Sequence, residues 1–469
     1  MREHNNLFYR FLTIFGALVL VILNETIGYN NLGIYMAYIE AFLVMFFILF
    51  KHFTLAFLMH TLFVLTSLEW SADLYSLQNI FTYRTVDIFG ISLSSVILII
   101  LFVINYIFYG FKTQINNIFL KFMLIVFMGF LIGGSGLIFS DYKINFFISD
   151  FFYWVIVLIS ALLFTKILRR NPYYIKDIEW ILISVLVARS FVKFFGIFWG
   201  LQKGKYGGIS IFSFDTIDIF IPFLIFSFLQ EKNMILKFLI IISWVLGSIS
   251  VVFTESSGKA ILLFFLVFLV IFIKLFRGKK YIIIKTIFIM FFVLFYLVFY
   301  PMFFNLIENN NLFLSKFNQV CSLLSFSWIK DPYILPLSPQ TRILEMYNIL
   351  AYYFENPIYC ITGRGFGGYF EDIAFYNYFA SDMGGYSIEE IVSRKFVKPH
   401  ESFNFLLLKF GICGILFYIY LLYRIWKLRK YCGMSISLFL KLVGFLIVLF
   451  FIGYSLKIAF ILGFFISII

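Results

Sequence analysis

Long apolar runs alternate with short polar connections from one end of the chain to the other. Runs of about twenty apolar residues are long enough, as helices, to cross about 30 Å of hydrocarbon. They predict helices at 8–28, 32–50, 53–69, 88–109, 117–139, 146–166, 178–200, 216–230, 234–253, 259–276, 281–303 and 403–423. The tail from 434 to 469 predicts one or two more. No internal repeat, low-complexity linker or soluble domain interrupts the pattern, and no helix reads as broken near its middle. The longest polar connection, 304–402, far exceeds an ordinary loop, so it is expected to be functional and partly helical. Within it, Pro339 precedes Ile343, Met346, Tyr347, Leu350 and Phe354, which recur at helical spacing. They predict an amphipathic helix over 340–355 and mark its apolar face.

The pattern therefore predicts an all-α polytopic membrane protein with about 12–14 transmembrane helices. Residues 1–303 carry the first helices, 304–402 form one large loop and 403–469 return to the membrane. Composition agrees: 62% of residues are hydrophobic and only 13% charged, against about 25% charged in soluble domains. The net charge of +13 forms no basic stripe or domain, which excludes a nucleic-acid partner. The basic residues instead cluster at Lys166, Arg169, Arg170 and Lys176, at Arg277, Lys279 and Lys280 with Lys285 beyond, and at Arg424, Lys427, Arg429 and Lys430. Placing all three clusters in the cytoplasm satisfies the positive-inside rule. It also needs an even number of spans between them, and the predicted helices supply four and then two. The same parity puts 69–87, 201–215, 254–258 and 304–402 on the outer side.

The N-terminus, Met1-Arg2-Glu3-His4 with Arg10 before an apolar run, has no small-residue cleavage site and reads as an uncleaved first helix. Cys321, Cys360, Cys413 and Cys432 show no metal-ligand spacing. Cys321 and Cys360 share the large loop, as a disulfide or as two small apolar residues. Mid-helix Arg189 and Glu40 are expected to pair or to face a cavity, because charge inside a bilayer is costly.

Four polar stretches fall on the outer side: Thr254-Glu255-Ser256-Ser257-Gly258-Lys259-Ala260, Thr341-Arg342-Ile343-Leu344-Glu345, Gly363-Arg364-Gly365-Phe366-Gly367-Gly368-Tyr369 and Lys398-Pro399-His400-Glu401-Ser402-Phe403-Asn404. Ser257-Gly258-Lys259 is not a phosphate-binding P-loop, since the first glycine is missing. Gly363, Gly365 and Gly367 have the wrong spacing for a dinucleotide fingerprint and no βαβ unit around them. Glycines here let backbone turn tightly or approach a ligand closely.

Together, these stretches resemble the superfamily of O-antigen ligases and Wzy-type O-antigen polymerases, bacterial membrane glycosyltransferases. The resemblance covers about 178–425 and rests on a T-x-S-type start of a helix at 254–260, an Arg-led helix from Arg342, Pro357 followed by Gly363 to Gly368, and His400 ahead of a helix carrying Gly411. Family members commonly have an arginine after the serine where this chain has Ser257, with Lys259 two places on. The resemblance implies a GT-C-like architecture and an inner-membrane location with the loop periplasmic. It implies an undecaprenyl-pyrophosphate-linked oligosaccharide as donor, membrane lipid and a chain-length regulator as partners, and neither metal nor other cofactor.

Residue chemistry fits that reaction. A departing pyrophosphate gathers negative charge, and arginine grips phosphate oxygens with two donors. Arg342 and Arg364 are the loop candidates against the plainer reading of solvated or salt-bridged arginines. Lys259 adds charge or merely snorkels at a helix end, and Arg189 either sits beside the pyrophosphate or forms a structural ion pair. His400 matches the family's key histidine and suits proton transfer from an acceptor hydroxyl or orientation of the pyrophosphate. Glu401 is a rival base, an orienter of His400 or a solvated carboxylate. A polymerase is the leading reading, a ligase joining finished glycan to lipid A-core the alternative, and a transporter of lipid-linked sugars a third. Cysteine labelling of intact cells should reach a probe at Asp331 from the outer side; labelling only from the cytoplasm would overturn the topology and the site with it.

Overall fold

The computed structural model describes residues 2–68, 80–88, 90–110, 117–198, 204–206, 209–211, 215–254, 331, 333, 335, 337–373, 379 and 386–469. The predicted helices at 259–276 and 281–303, the cluster at Arg277–Lys280, Lys259 and Cys321 lie outside the described residues. Contacts group the chain into two units: Met1–Glu69, Asn79–Val185 and Leu337–Ile469 form one, and Trp70–Gln78 with Leu186–Pro336 the other.

The fold is all-α and polytopic. In the first unit the helices are α1 (Arg2–Ile27), α2 (Leu32–Leu49), α3 (Phe53–Thr66), α4 (Leu93–Tyr109), α5 (Asn117–Phe139) and α6 (Ile144–Arg170), and α7 (Tyr174–Phe198) continues into the second. The second unit then has a 3-10 stretch, Thr216–Phe223, followed by α8 (Leu224–Gln230) and α9 (Met234–Thr254). Back in the first unit come α10 (Leu337–Glu355), α11 (Pro357–Thr362), α12 (Ile388–Ser393), α13 (Ser402–Lys427), α14 (Leu438–Leu446) running into a π-turn at Ile447–Phe451, and α15 (Leu456–Ile468). The tail thus holds two helical elements. Among the described residues, Leu7–Ile27, Leu32–Leu49, Ile118–Phe139, Ile144–Arg170 and Ser402–Lys427 are each long and apolar enough to cross a membrane. Among the described residues, strand is confined to short antiparallel ribbons, such as Gly204–Tyr206 on Ile209–Ile211 with Lys205 opposite Ser210.

Small residues set the closest packing. A Cβ on Gly463 of α15 would lie 2.5 Å from the Ser160 Cβ of α6, so the two helices meet where side chains are smallest. Further contacts join the helix ends. The turn between α5 and α6 meets the large loop through ion pairs from Lys395 to Asp141 and, at 3.0 Å, from Lys143 to Glu389. Lys457, opening α15, donates to the Ser67 carbonyl at 2.6 Å, beyond the end of α3. At the other end, Tyr431 lies in the field of Arg169, which brings two of the basic clusters together.

Three features differ from the expectations or add to them. First, α13 is broken: Gly411 has φ 58° and ψ −144°. Second, part of the large loop enters the bundle. Gly363–Gly368 threads between spanning helices, where Phe366 N–H donates to Gly129 O of α5 at 2.9 Å and Gly367 N–H to Asp150 Oδ2 of α6 at 2.9 Å. The break and the insertion are one device. Interrupting the helix at Gly411 leaves carbonyls just before it without intrahelical partners. Arg364 N–H donates to Leu408 O at 2.8 Å, Gly365 N–H to Lys409 O at 2.9 Å, and Tyr353 OH to Leu407 O at 2.6 Å. Lys409 Nζ, buried at the same place, donates to Gly368 O at 2.7 Å and pairs with Asp150 at 2.5 Å.

Third, α10 exists but buries a different face. Thr341, Leu344, Glu345, Asn348, Ile349 and Tyr353 are buried, whereas Ile343, Met346, Tyr347 and Leu350 are half-buried and Phe354 is exposed. The polar members of the buried face have hydrogen-bond partners waiting for them, so burial costs them little, and an apolar stripe alone misjudges which way the helix turns.

Gly411→Ala should be costly. Its backbone conformation is essentially glycine-only, a penalty of about 1–3 kcal/mol for other residues, and a Cβ there would lie 2.5 Å from the Cys360 carbonyl oxygen. Gly134→Ala, with nothing within 4 Å of the new methyl, is the control. Thermal unfolding in detergent should drop for the first and stay nearly unchanged for the second; equal midpoints would remove the break from the fold's essentials.

Candidate active site

The buried face of α10 delivers one carboxylate to the point where the loop returns to α13. Glu345 is fully buried. The His400 N–H donates to Glu345 Oε2 at 3.1 Å, and His400 Nδ1 hydrogen-bonds Glu345 Oε1. Tyr386 OH donates to the same Oε1. Asn404 Nδ2, in the first turn of α13, donates to Glu345 Oε2 at 3.1 Å and to the Arg342 carbonyl at 2.7 Å. The Tyr386 ring stands edge-on to the imidazole, centroids 4.9 Å apart.

The approach to His400 is fixed from behind. Ser387 and Glu390 form a capping box at the start of α12. Glu390 Oε1 then accepts the Val397 N–H at 2.8 Å, while Phe370 and Phe396 exchange backbone hydrogen bonds of 3.0 Å. Burial alone would raise the Glu345 pKa. The neighbouring His400 and the hydrogen bonds from His400, Tyr386 and Asn404 outweigh burial and hold the carboxyl below its usual range. An ionised Glu345 takes the proton side of Nδ1, which leaves the ring's free lone pair on Nε2. The imidazole is 23% exposed, and Nε2 has no hydrogen-bond partner among the described residues.

Arg342, on the rim, pairs through Nε with Glu401 Oε1 at 2.6 Å, and both side chains are partly exposed. The orienting contact to His400 comes from Glu345, so Glu401 does not fill that role; it is the counter-ion of Arg342. Arg364 makes its contacts elsewhere. It is buried, with Nη1 on the Tyr369 carbonyl at 2.6 Å and Nε on Tyr142 OH at 3.1 Å, and its guanidinium lies 4.1 Å and 4.2 Å from the Tyr352 and Tyr369 ring centres. Beside this cage, hydrogen bonds from Lys395 and Tyr369 pull the exposed Asp141 carboxyl down to about 2.

Arg189 belongs to the second unit. It grips Asp218 through Nε and, at 2.8 Å, through Nη2, and lies 3.6 Å from Asp215; Lys193 reaches Asp218 at 2.6 Å. Asp215 and Asp218 are thus carboxylate partners of Arg189 among the described residues. Glu40, in the first unit, is buried with neither oxygen hydrogen-bonded. Cys360 is a half-buried free thiol.

The structure therefore brings Arg342, His400 and Glu401 together and adds Glu345, Tyr386 and Asn404, none of them singled out from the sequence. A signal for Glu345 was present. Thr341, Glu345 and Asn348 form a polar stripe at helical spacing, and Asn404 follows His400 by one helical turn. The O-antigen ligase family model matches the chain over residues 242–419. Over that segment the chain is similar to the O-antigen ligase family. The matched segment includes Lys259, Arg342, Glu345, Arg364, His400 and Glu401, while Arg189 precedes it. Proteins of that family are glycosyltransferase-like enzymes of O-antigen biosynthesis, which act on lipid-linked oligosaccharides and membrane lipids. No curated protein and no solved structure matches the chain.

Because folding depresses the Glu345 pKa, the carboxylate's stabilisation is present above its ordinary value of 4.5 and is lost as pH falls through the lowered one. The melting difference between the native protein and Glu345→Gln should be full at neutral pH and shrink well below 4.5. A difference that does not change with pH would show that Glu345 is not held ionised.

Proposed function

We propose that the protein is a surface-polysaccharide polymerase of the bacterial inner membrane, transferring a growing glycan from an undecaprenyl-pyrophosphate carrier to the next lipid-linked repeat unit on the periplasmic side. The observation that carries this reading is the His400 ring, with Nδ1 held by a buried carboxylate and Nε2 unengaged among the described residues, beside the start of a spanning helix. An acceptor hydroxyl gives its proton to Nε2 as its oxygen attacks the anomeric carbon. The bond from that carbon to the carrier phosphate breaks, and its electron pair leaves with the pyrophosphate. Glu345 keeps the ring in the required tautomer and steadies the imidazolium that forms.

Arg342 exchanges its contact with Glu401 for the pyrophosphate oxygens, where the charge develops. Lys259 adds a further positive charge. Arg364 we assign to holding the glycine stretch, and Arg189 to the structural ion network. Divergence from the family at Ser257 and Lys259 favours a polymerase, since polymerases vary with the sugars they join. The ligase reading is favoured by the family model itself, which is named for ligases. A strain lacking the gene decides between them. Single-repeat capping of the lipid indicates a polymerase; loss of all capping with polymer kept on the carrier indicates a ligase.

With purified protein and lipid-linked repeat unit, and a chelator present, His400→Ala should lower turnover about a hundred- to ten-thousand-fold and leave donor affinity nearly unchanged. Arg342→Ala should cut transfer severely, and Arg342→Lys should restore only part, because an ammonium lacks the planar two-point grip. Unaltered rates in both His400→Ala and His400→Gln would remove His400 from the mechanism, and a strict need for a divalent ion would overturn its metal-free form.

A further inference from the structure

Three spanning helices give the position of the inserted loop along their axes. On α13, Gly411 lies about 13 Å along the axis from Ser402 at 1.5 Å per residue. On α5, the contacts with Gly129 and Gly133 lie about 9–15 Å from Phe139, and on α6 Asp150 lies about 9 Å from Ile144. A Cβ on Gly411 would touch the Cys360 carbonyl oxygen, and one on Gly365 would lie 2.3 Å from the Gly133 nitrogen. The chain from α11 to Gly368 therefore meets three spanning helices about two turns or more inside their ends.

We propose that α11 is a re-entrant segment whose exposed face is covered by bilayer hydrocarbon, the exposed Glu355 before it marking the headgroup level. Ile358 is 69% exposed and Ile361 59%. In water, such a patch would be an unpaid cost of apolar surface. Continuity argues for lipid as the cover. Ile361 backbone lies against Gly411, and directly below it α13 presents Ile412 and Leu416, both exposed on a spanning helix. Nothing in α11 asks for water: Pro357–Thr362 carries no charge, and the Thr362 hydroxyl donates to the Ile358 carbonyl at 3.1 Å. The non-helical glycine stretch that follows is shielded by protein and hydrogen-bonded to it, the condition under which irregular backbone survives at such depth.

The inference is independent of the reaction catalysed. Ile358→Cys and Ile361→Cys, each in a background lacking the native cysteines, are labelled with a nitroxide in phosphatidylethanolamine–phosphatidylglycerol vesicles. Collision with oxygen should exceed collision with a water-soluble nickel chelate, as at Leu416→Cys, and the order should reverse at Val392→Cys on α12. Nickel access at 358 and 361 like that at 392 overturns the proposal. So does shielding from both reagents, which would mean that protein, a second copy included, covers the face. The unaltered protein gives a second reading without substitution: a lipid-phase diazirine probe should label the peptide 355–363 as well as 412–419, and label in the latter alone overturns it.

Discussion

A helix crossing hydrocarbon satisfies its own backbone, and α13 gives that up at Gly411. The carbonyls of Leu407, Leu408 and Lys409 then need donors where water is scarce. Each finds one in the loop that precedes α13: Tyr353, Arg364 and Gly365. The glycines at 363 and 365 follow from the same demand, since both have positive φ and neither has room for a side chain. The tyrosine cage around Arg364 and the Lys409–Asp150 pair hold the inserted chain in place. Once that chain is pinned, α10 is pinned, because the two are separated only by α11.

The site inherits its geometry from this arrangement. Glu345 sits on α10, and His400 and Asn404 flank the start of α13, so the network closes only when these helices are in register. A carboxylate with several donors in a dry setting prefers one geometry strongly. That preference turns a surface histidine, ordinarily free to rotate, into a group with a defined tautomer and a defined open nitrogen. Arg342 and Glu401 at the rim are looser and more exposed, as suits residues that must exchange partners.

Much of this was legible in the sequence, and the rest was hidden for identifiable reasons. Helices such as 32–50 and 117–139 are written in residues whose only economical place is hydrocarbon, so their positions are fixed by composition. His400 and Arg342 are visible because polar residues with family-like spacing stand out there. Glu345 was hidden because its partners arrive from Tyr386 and Asn404, far along the chain. The same blindness misplaced the buried face of α10, where a polar stripe with distant partners outcompetes an apolar one. The glycine stretch read as a tight turn or a close approach to a ligand; what it approaches in the fold is a gap in a helix that periodicity cannot show.

The order in which the chain emerges gives the inserted loop a further meaning. Gly129, Gly133 and Asp150 are made first, the glycine stretch next and the carbonyls of α13 last. Until α13 arrives, the descending strand has only half of its hydrogen-bond partners, and until the strand is in place, α13 cannot cross the bilayer with its backbone satisfied. Neither segment is a self-sufficient substrate for insertion one helix at a time. Biogenesis of this region must therefore end in a joint step, in which the inserted loop and the following helix complete each other's backbone hydrogen bonds.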